Sequence, residues 1–283
     1  MPSAAKAGGK SVSVGSAVDS PSDRGMAQTQ AARRRVAGNT AILVLLRVLM
    51  PAMAVALVLA LSRILGADGL GRYSLAFSIL YLFNAIAPLG LTSVLTREVA
   101  RAPGDLENIL GNALTVAGLA SLVLTPVMLA VGPLLAYDAE TQRALWILGL
   151  SIVPCTAGVL FDAVFVAKER MDCIAWCSGA EYMFKVGFGV GALLLGFGLE
   201  TVLVMALSGR VLGCLVALRM FRRIDVQVRL AWHTPMLRKL LKLAPTFLMI
   251  GLFATLYWRI DVLMLSKLAS VAEVGQYSAA WRL

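Results

Sequence analysis

The chain has 283 residues, 59% of them hydrophobic and only 15% charged, with a mean hydropathy of +0.81 and a net charge of +10. So much apolar surface exceeds what a soluble domain of this size would bury and fits side chains that face lipid. The basic residues cluster between apolar segments, which membrane topology explains without a nucleic-acid partner.

Residues 1–36 are rich in Ala, Ser, Gly and Lys and end in Arg33-Arg34-Arg35, so a disordered basic cytoplasmic tail is expected there. Apolar spans then follow, predicted as helices over 41–62, 73–95, 109–135, 144–166, 173–198, 201–220 and 244–265, with an eighth opening near Tyr277. Each full span is near or above the ~20 residues that cross ~30 Å of hydrocarbon at 1.5 Å per residue. Pro51, Pro126 and Pro154 fall inside spans, where a missing donor bends a helix. Lys and Arg outside the spans number 14 on one side and 4 on the other, which predicts a cytoplasmic N-terminus and a cytoplasmic loop over 220–243.

Residues 61–76, LSRILGADGLGRYSLA, align without gaps to residues 265–280, LSKLASVAEVGQYSAA, at an offset of 204. The first and seventh spans are therefore equivalent, and an even number of spans per repeat gives two parallel halves, a transporter plan. Gly71 and Gly275 are expected to let the chain reverse, and Tyr73 and Tyr277 to sit at the membrane interface.

The turn LGADGLGRYS, the segment LTSVLTREVAR and the stretches RIDVLML and VGQYSAAWRL resemble polysaccharide biosynthesis proteins. These are the O-antigen and lipid-linked oligosaccharide flippases of the multidrug/oligosaccharidyl-lipid/polysaccharide exporter (MOP) superfamily. The resemblance runs from about Asn39 to Leu283. It implies an all-α polytopic bundle on a two-lobe exporter plan, with a first six-helix lobe over 37–220, an inter-lobe loop over 221–243 and the start of a second lobe over 244–283. Members usually carry twelve to fourteen helices, so a truncated product or fragment is expected. The partners implied are the bilayer of the inner membrane, a polyprenyl-diphosphate-linked oligosaccharide and other polysaccharide-assembly membrane proteins.

Ionisable side chains inside spans cost ~2.5–3.5 kcal/mol to insert and mark function by default. Arg47, Lys185, Arg210 and Arg259 are the candidate substrate-binding residues, because guanidinium and ammonium groups suit a diphosphate. Glu181 and Asp261 are candidates for ion coupling or for orienting these cations. Each also has a plainer role: Arg47 can snorkel, Glu181 and Lys185 can neutralise each other four residues apart, and Asp261 can be structural glue. Gly187 and Gly191 have the small-residue spacing of close helix packing. Residues 96–108, TREVARAPGDLEN, read as an ordinary polar loop, with a gate as the sharper alternative.

A drug or cation exporter of the same superfamily would favour acidic lumen residues, whereas the four basic candidates here outnumber the two acidic ones. A membrane-embedded sugar polymerase or ligase needs a large extracytoplasmic loop and a nucleophile–base pair. The only histidine, His233, falls in the longest, cytoplasmic loop, and no enzyme is expected. The four cysteines, Cys155, Cys173, Cys177 and Cys214, have neither zinc nor redox spacing, so no metal or cofactor is expected. A non-transporting fragment is the remaining alternative.

Overall fold

The computed structural model describes residues 48–282. The tail over 1–36 and Arg47 lie outside the described residues. The rest is all-α, with no strand among the described residues. In chain order the helices are α1 (Val48–Ile64), α2 (Gly66–Ile86), α3 (Leu91–Arg101), α4 (Leu106–Leu134), α5 (Ala139–Gly149), α6 (Ile152–Ala167), α7 (Met171–Leu194), α8 (Leu199–Arg223), α9 (Thr234–Leu268) and α10 (Val271–Arg282).

Two expected spans are broken. The second is α2 plus α3, bent by 44°, and the fourth is α5 plus α6, bent by 42°. The first break falls at Ala87-Pro88-Leu89-Gly90, where Leu89 and Gly90 take φ of 53° and 72°. Side chains rarely adopt that backbone, and a Cβ on Gly90 would also lie 2.4 Å from the Leu248 nitrogen. The second break, at Leu150-Ser151, precedes Pro154, whose missing N–H leaves the Leu150 carbonyl without its helical partner. By contrast, α4 runs unbroken through Pro126 and Pro133. The seventh span also starts ten residues before its expected Ala244, because Pro235 opens a helix whose Leu237 and Leu240 are buried.

Cross-chain bonds sort the helix ends. Arg72 with Asp138 and Glu140, Arg143 with Glu200, and Tyr137 with Ser266 gather at one end, here called the turn end. Glu98 with Lys239, Glu107 with the Gln227 amide, and Asn112 with the His233 amide gather at the other, the loop end. The spans therefore alternate in direction as expected. Many large apolar side chains, including Leu122, Leu134, Leu194 and Phe253, face outward, as in a bundle solvated by lipid.

Among the described residues, most of the buried apolar side chains fall in two clusters. One, nearer the turn end, holds Leu57, Tyr73, Phe77, Leu145, Val186 and Val202. The other, nearer the loop end, holds Leu95, Phe161, Phe165, Cys177, Phe221 and Leu240. The seam between them crosses α7 between Cys177 and Val186, and crosses α8 between Ala206 and Ala217.

The repeat has a structural counterpart. A Cβ on Gly71 would lie 2.0 Å from the Val271 carbonyl oxygen, and a Cβ on Gly275 would lie 2.0 Å from that of Ala67. Residues 67 and 271, like 71 and 275, are related by the offset of 204. The contact between α2 and α10 is thus reciprocal, as at a two-fold axis. The Ser62 and Ser266 hydroxyls make equivalent bonds to Leu59 and Leu263 carbonyls. Gly71 and Gly275 therefore lie inside helices and serve close approach, while the chain reverses at residue 65 and at 269–270. Tyr73 is buried against Phe77.

Candidate functional site

Where the seam crosses α7 and α8, Arg210 Nη1 lies 2.9 Å from Glu181 Oε2. The helices come together there because α8 presents Gly209 and Gly213. A Cβ on Gly209 would touch the Glu181 carbonyl at 3.0 Å, and one on Gly213 would approach the Glu181 carboxylate at 3.4 Å. Gly187 and Gly191, expected to serve such packing, have nothing within 4 Å of a built Cβ. Asp162 on α6 lies within electrostatic reach of both Arg210 and Glu181. Sequence reasoning missed Asp162, although an acid inside an apolar span was the signal that could have found it.

Lys185 does not neutralise Glu181 through a direct ion pair. Its ammonium lies 4.6 Å from the centre of the Phe77 ring and 5.9 Å from that of Tyr182. Arg259 sits 4.5 Å over the Tyr81 ring and 6.0 Å from the Trp281 ring. Aromatic faces carry negative potential, so they attract cations. Lys185 and Arg259, on α7 and α9, wall the same cavity of about 350 Å³, together with Tyr73, Tyr81, Tyr182 and Trp281. Arg210 is not among the residues that wall it.

The Asp261 carboxylate accepts the Tyr277 hydroxyl of α10 at 2.5 Å and, on its own helix, the Val262 amide at 2.8 Å. A small second cavity joins Arg259, Asp261 and Tyr277 to Ser74 and Ser278. These two serines are equivalent in the repeat, and both hydroxyls are buried without a hydrogen-bond partner among the described residues. Of the six expected residues, the structure therefore brings together Lys185 with Arg259, Arg210 with Glu181, and Asp261 with the rim of the Arg259 site. Among the described residues no cluster of three or more metal-ligating side chains occurs.

The family model described as polysaccharide biosynthesis protein matches residues 36–283. The chain belongs to this family. Stage V sporulation protein B of Bacillus subtilis (strain 168) is 27% identical over 169 residues, covering 56% of this chain and 33% of that relative. A multidrug resistance MATE family transporter of the MOP superfamily, solved in an inward-facing conformation, superposes with a TM-score of 0.64 at 16% identity. It covers 82% of this chain and 57% of its own. A MOP superfamily transporter from Pyrococcus furiosus Vc1 (DSM3638), described by the reverse polarity of its binding pocket, gives 0.56 at 15% identity, covering 86% and 63%. The polysaccharide biosynthesis chain thus has the helical membrane fold of MOP-superfamily transporters. It spans about a third of the curated relative and about three-fifths of the solved transporters.

Proposed function

We propose that the chain supplies the first lobe and the start of the second in a transporter that moves a polyprenyl-diphosphate-linked oligosaccharide across the cytoplasmic membrane by alternating access. The N-terminus and the loop end lie in the cytoplasm on this reading, because the basic residues concentrate there. The observation that carries the cargo assignment is the convergence of Lys185 and Arg259 on one aromatic-lined cavity. Arg offers a planar fork to phosphate oxygens and Lys a mobile point charge. The polyprenyl tail remains in the bilayer while the diphosphate and sugar occupy the cavity. Arg210, paired with Glu181, fixes α7 to α8, while Lys185 and Arg259 meet the cargo because both line the cavity. Asp261 sets the position of Arg259 or takes part in ion coupling through α10.

The test is binding of a polyprenyl diphosphate to the purified chain, read by native mass spectrometry. Loss of two charge-assisted bonds at about 1.5–3 kcal/mol each predicts on the order of 100-fold or greater weakening in Lys185→Gln/Arg259→Gln. Equal binding of the phosphate-free polyprenol defeats the proposal. Preference for a lipophilic cation defeats it too, and favours a cation exporter.

A further inference from the structure

The two ends of the bundle treat their basic residues differently. At the turn end, Arg72 bridges Asp138 and Glu140 at 3.2 and 2.8 Å, and Arg143 bridges Glu200 at 2.7 Å. At the loop end, Glu98 receives Lys239 and Arg101, and Asp172 receives Arg170. Arg219, Arg222, Arg223, Arg229, Arg238 and Lys242 are all exposed, and none has an ion-pair partner among the described residues.

Four of these six charges gather at one corner, where Arg222 shares a groove with Asp225, Gln227 and Val228, while Arg238 and Lys242 lie on α9 at the same end. Arg219, Arg222 and Arg223 lie at i, i+3 and i+4 on the last turns of α8, hence on one side of it. Arg238 and Lys242 lie at i and i+4 on the first turns of α9. Arg229 is in the connector, which is fixed rather than loose. The Gln227 amide donates to Glu107 Oε1 at 2.7 Å and the His233 amide to Asn112 Oδ1 at 2.7 Å. The Arg229 carbonyl lies so close to α4 that a Cβ on Gly111 would be 2.3 Å from it. Favourable interaction with the α8 C-terminal dipole accounts for Arg222 and Arg223 alone. Asp225 is the one acid among the described residues of the groove beside Arg222, so positive charge remains in excess there, and an anionic partner would relieve it.

The surface beside this corner identifies the partner's other half. Val204, Val211, Leu215 and Leu218 are exposed on α8 at spacings of seven, four and three, one outward stripe that leads to Arg222. Val204 to Leu218 covers ~21 Å of axis at 1.5 Å per residue, enough to extend well into one leaflet. At the mouth, Leu230 and Trp232 in the connector are 75% and 61% exposed beside Arg229. A partner that is anionic at one end and apolar along the adjoining helix is a lipid, whereas an acidic protein matches only the charges.

We propose that the corner formed by α8 and the 224–233 connector binds anionic phospholipid, with its phosphate among Arg222, Arg223 and Arg229 and an acyl chain along Val211, Leu215 and Leu218. The site is separate from the Lys185–Arg259 cavity and does not depend on the nature of the transported cargo.

The purified chain in neutral detergent is titrated with phosphatidylglycerol or phosphatidylcholine of the same acyl composition, with retained lipid and thermal midpoint as readouts. Phosphatidylglycerol is expected to be retained and to raise the midpoint, an effect that weakens with salt, while phosphatidylcholine does neither. Gln at Arg222, Arg223 and Arg229 together should lower phosphatidylglycerol affinity by on the order of 100-fold, at about fivefold per charge. Lys at the same three positions should preserve most of it, which separates charge from fold. An undiminished phosphatidylglycerol preference in the Gln variant overturns the proposal, as does equal retention of phosphatidylcholine. Protection by inorganic pyrophosphate equal to that by the lipid would assign the corner to free phosphate. Equal protection by polyglutamate would assign it to an acidic protein, and either result removes the lipid site.

Discussion

Arg210 and Glu181 are each other's counter-ion across the α7–α8 contact, Nη1 to Oε2 at 2.9 Å. The glutamate side chain is 11% exposed and the arginine 34%, so the pair sits at the edge of the interior. Arg210→Gln leaves a nearly buried carboxylate without its ion-pair partner, with Asp162 and Lys185 both in electrostatic reach. Removing one partner of a fully buried pair costs about 3–5 kcal/mol, and the partial exposure of Arg210 reduces this to roughly 1–3 kcal/mol. The double variant Arg210→Gln/Glu181→Gln should regain most of that loss. Thermal unfolding of all four proteins in one detergent gives the coupling, and simple additivity would mean that the pair contributes nothing.

Gly71→Ala and Gly275→Ala should each destabilise the α2–α10 crossing by about 1–3 kcal/mol or more, because the new methyl meets a backbone carbonyl that cannot rotate away. Gly118→Ala is the control, since its Cβ meets nothing within 4 Å, and it should be neutral or slightly stabilising. A melting temperature unchanged by Gly275→Ala would show that the helices do not meet as closely as described.

Asp138, in the turn between α4 and α5, gives a pH signature. Burial raises its carboxyl pKa, but the Thr141 hydroxyl and the Arg72 guanidinium outweigh this and hold it below the ordinary 3.8. A depressed carboxylate adds stability above its unfolded value and loses it as pH falls through the folded one. Asp138→Asn should therefore be less stable than wild type at pH 7, with the gap closing below about pH 4. The gap should be small and should narrow with salt, because the Asp138 side chain is 41% exposed. A gap that widens on acidification contradicts the assignment.

Topology is open to labelling. In a background without native cysteines, a cysteine at exposed Trp232 should be protected from a membrane-impermeant maleimide in intact cells. One at exposed Phe197, at the turn end, should react. The reverse pattern would turn the bundle over and place the basic corner outside.

The span order and the alternating ends were legible in the sequence because apolar length and charge bias act along the chain, where they can be read directly. The 61–76 and 265–280 match was also legible, but the role of its glycines was not. A glycine beside a turn signal reads as part of the turn, and only the path of α10 across α2 shows that Gly71 is there for the Val271 carbonyl. Pro154 signalled the bend in the fourth span, whereas the break at Pro88 depends also on Gly90, clasped by a helix more than 150 residues away. At the candidate site, neighbours four residues apart linked Glu181 to Lys185. Its actual counter-ion comes from the next helix, and the aromatic rings that hold Lys185 and Arg259 come from α2, α7 and α10. Such partners are set by packing, which periodicity along one helix does not encode.

The bonds that close the loop end have a consequence for how the chain is made. Glu98 waits for Lys239, 141 residues on, while Glu107 waits for Gln227 and Asn112 for His233, 120 and 121 residues on. At ~5–20 residues per second, the ribosome takes roughly 6–30 s to deliver these partners. During that interval Glu98, 3% exposed in the finished protein, must stay hydrated at the membrane surface while four further spans emerge. The α3–α4 corner is therefore among the last parts of the bundle to dry. A nascent chain released before residue 239 would leave Glu98 without its lysine, presenting an unfinished polar edge to quality control.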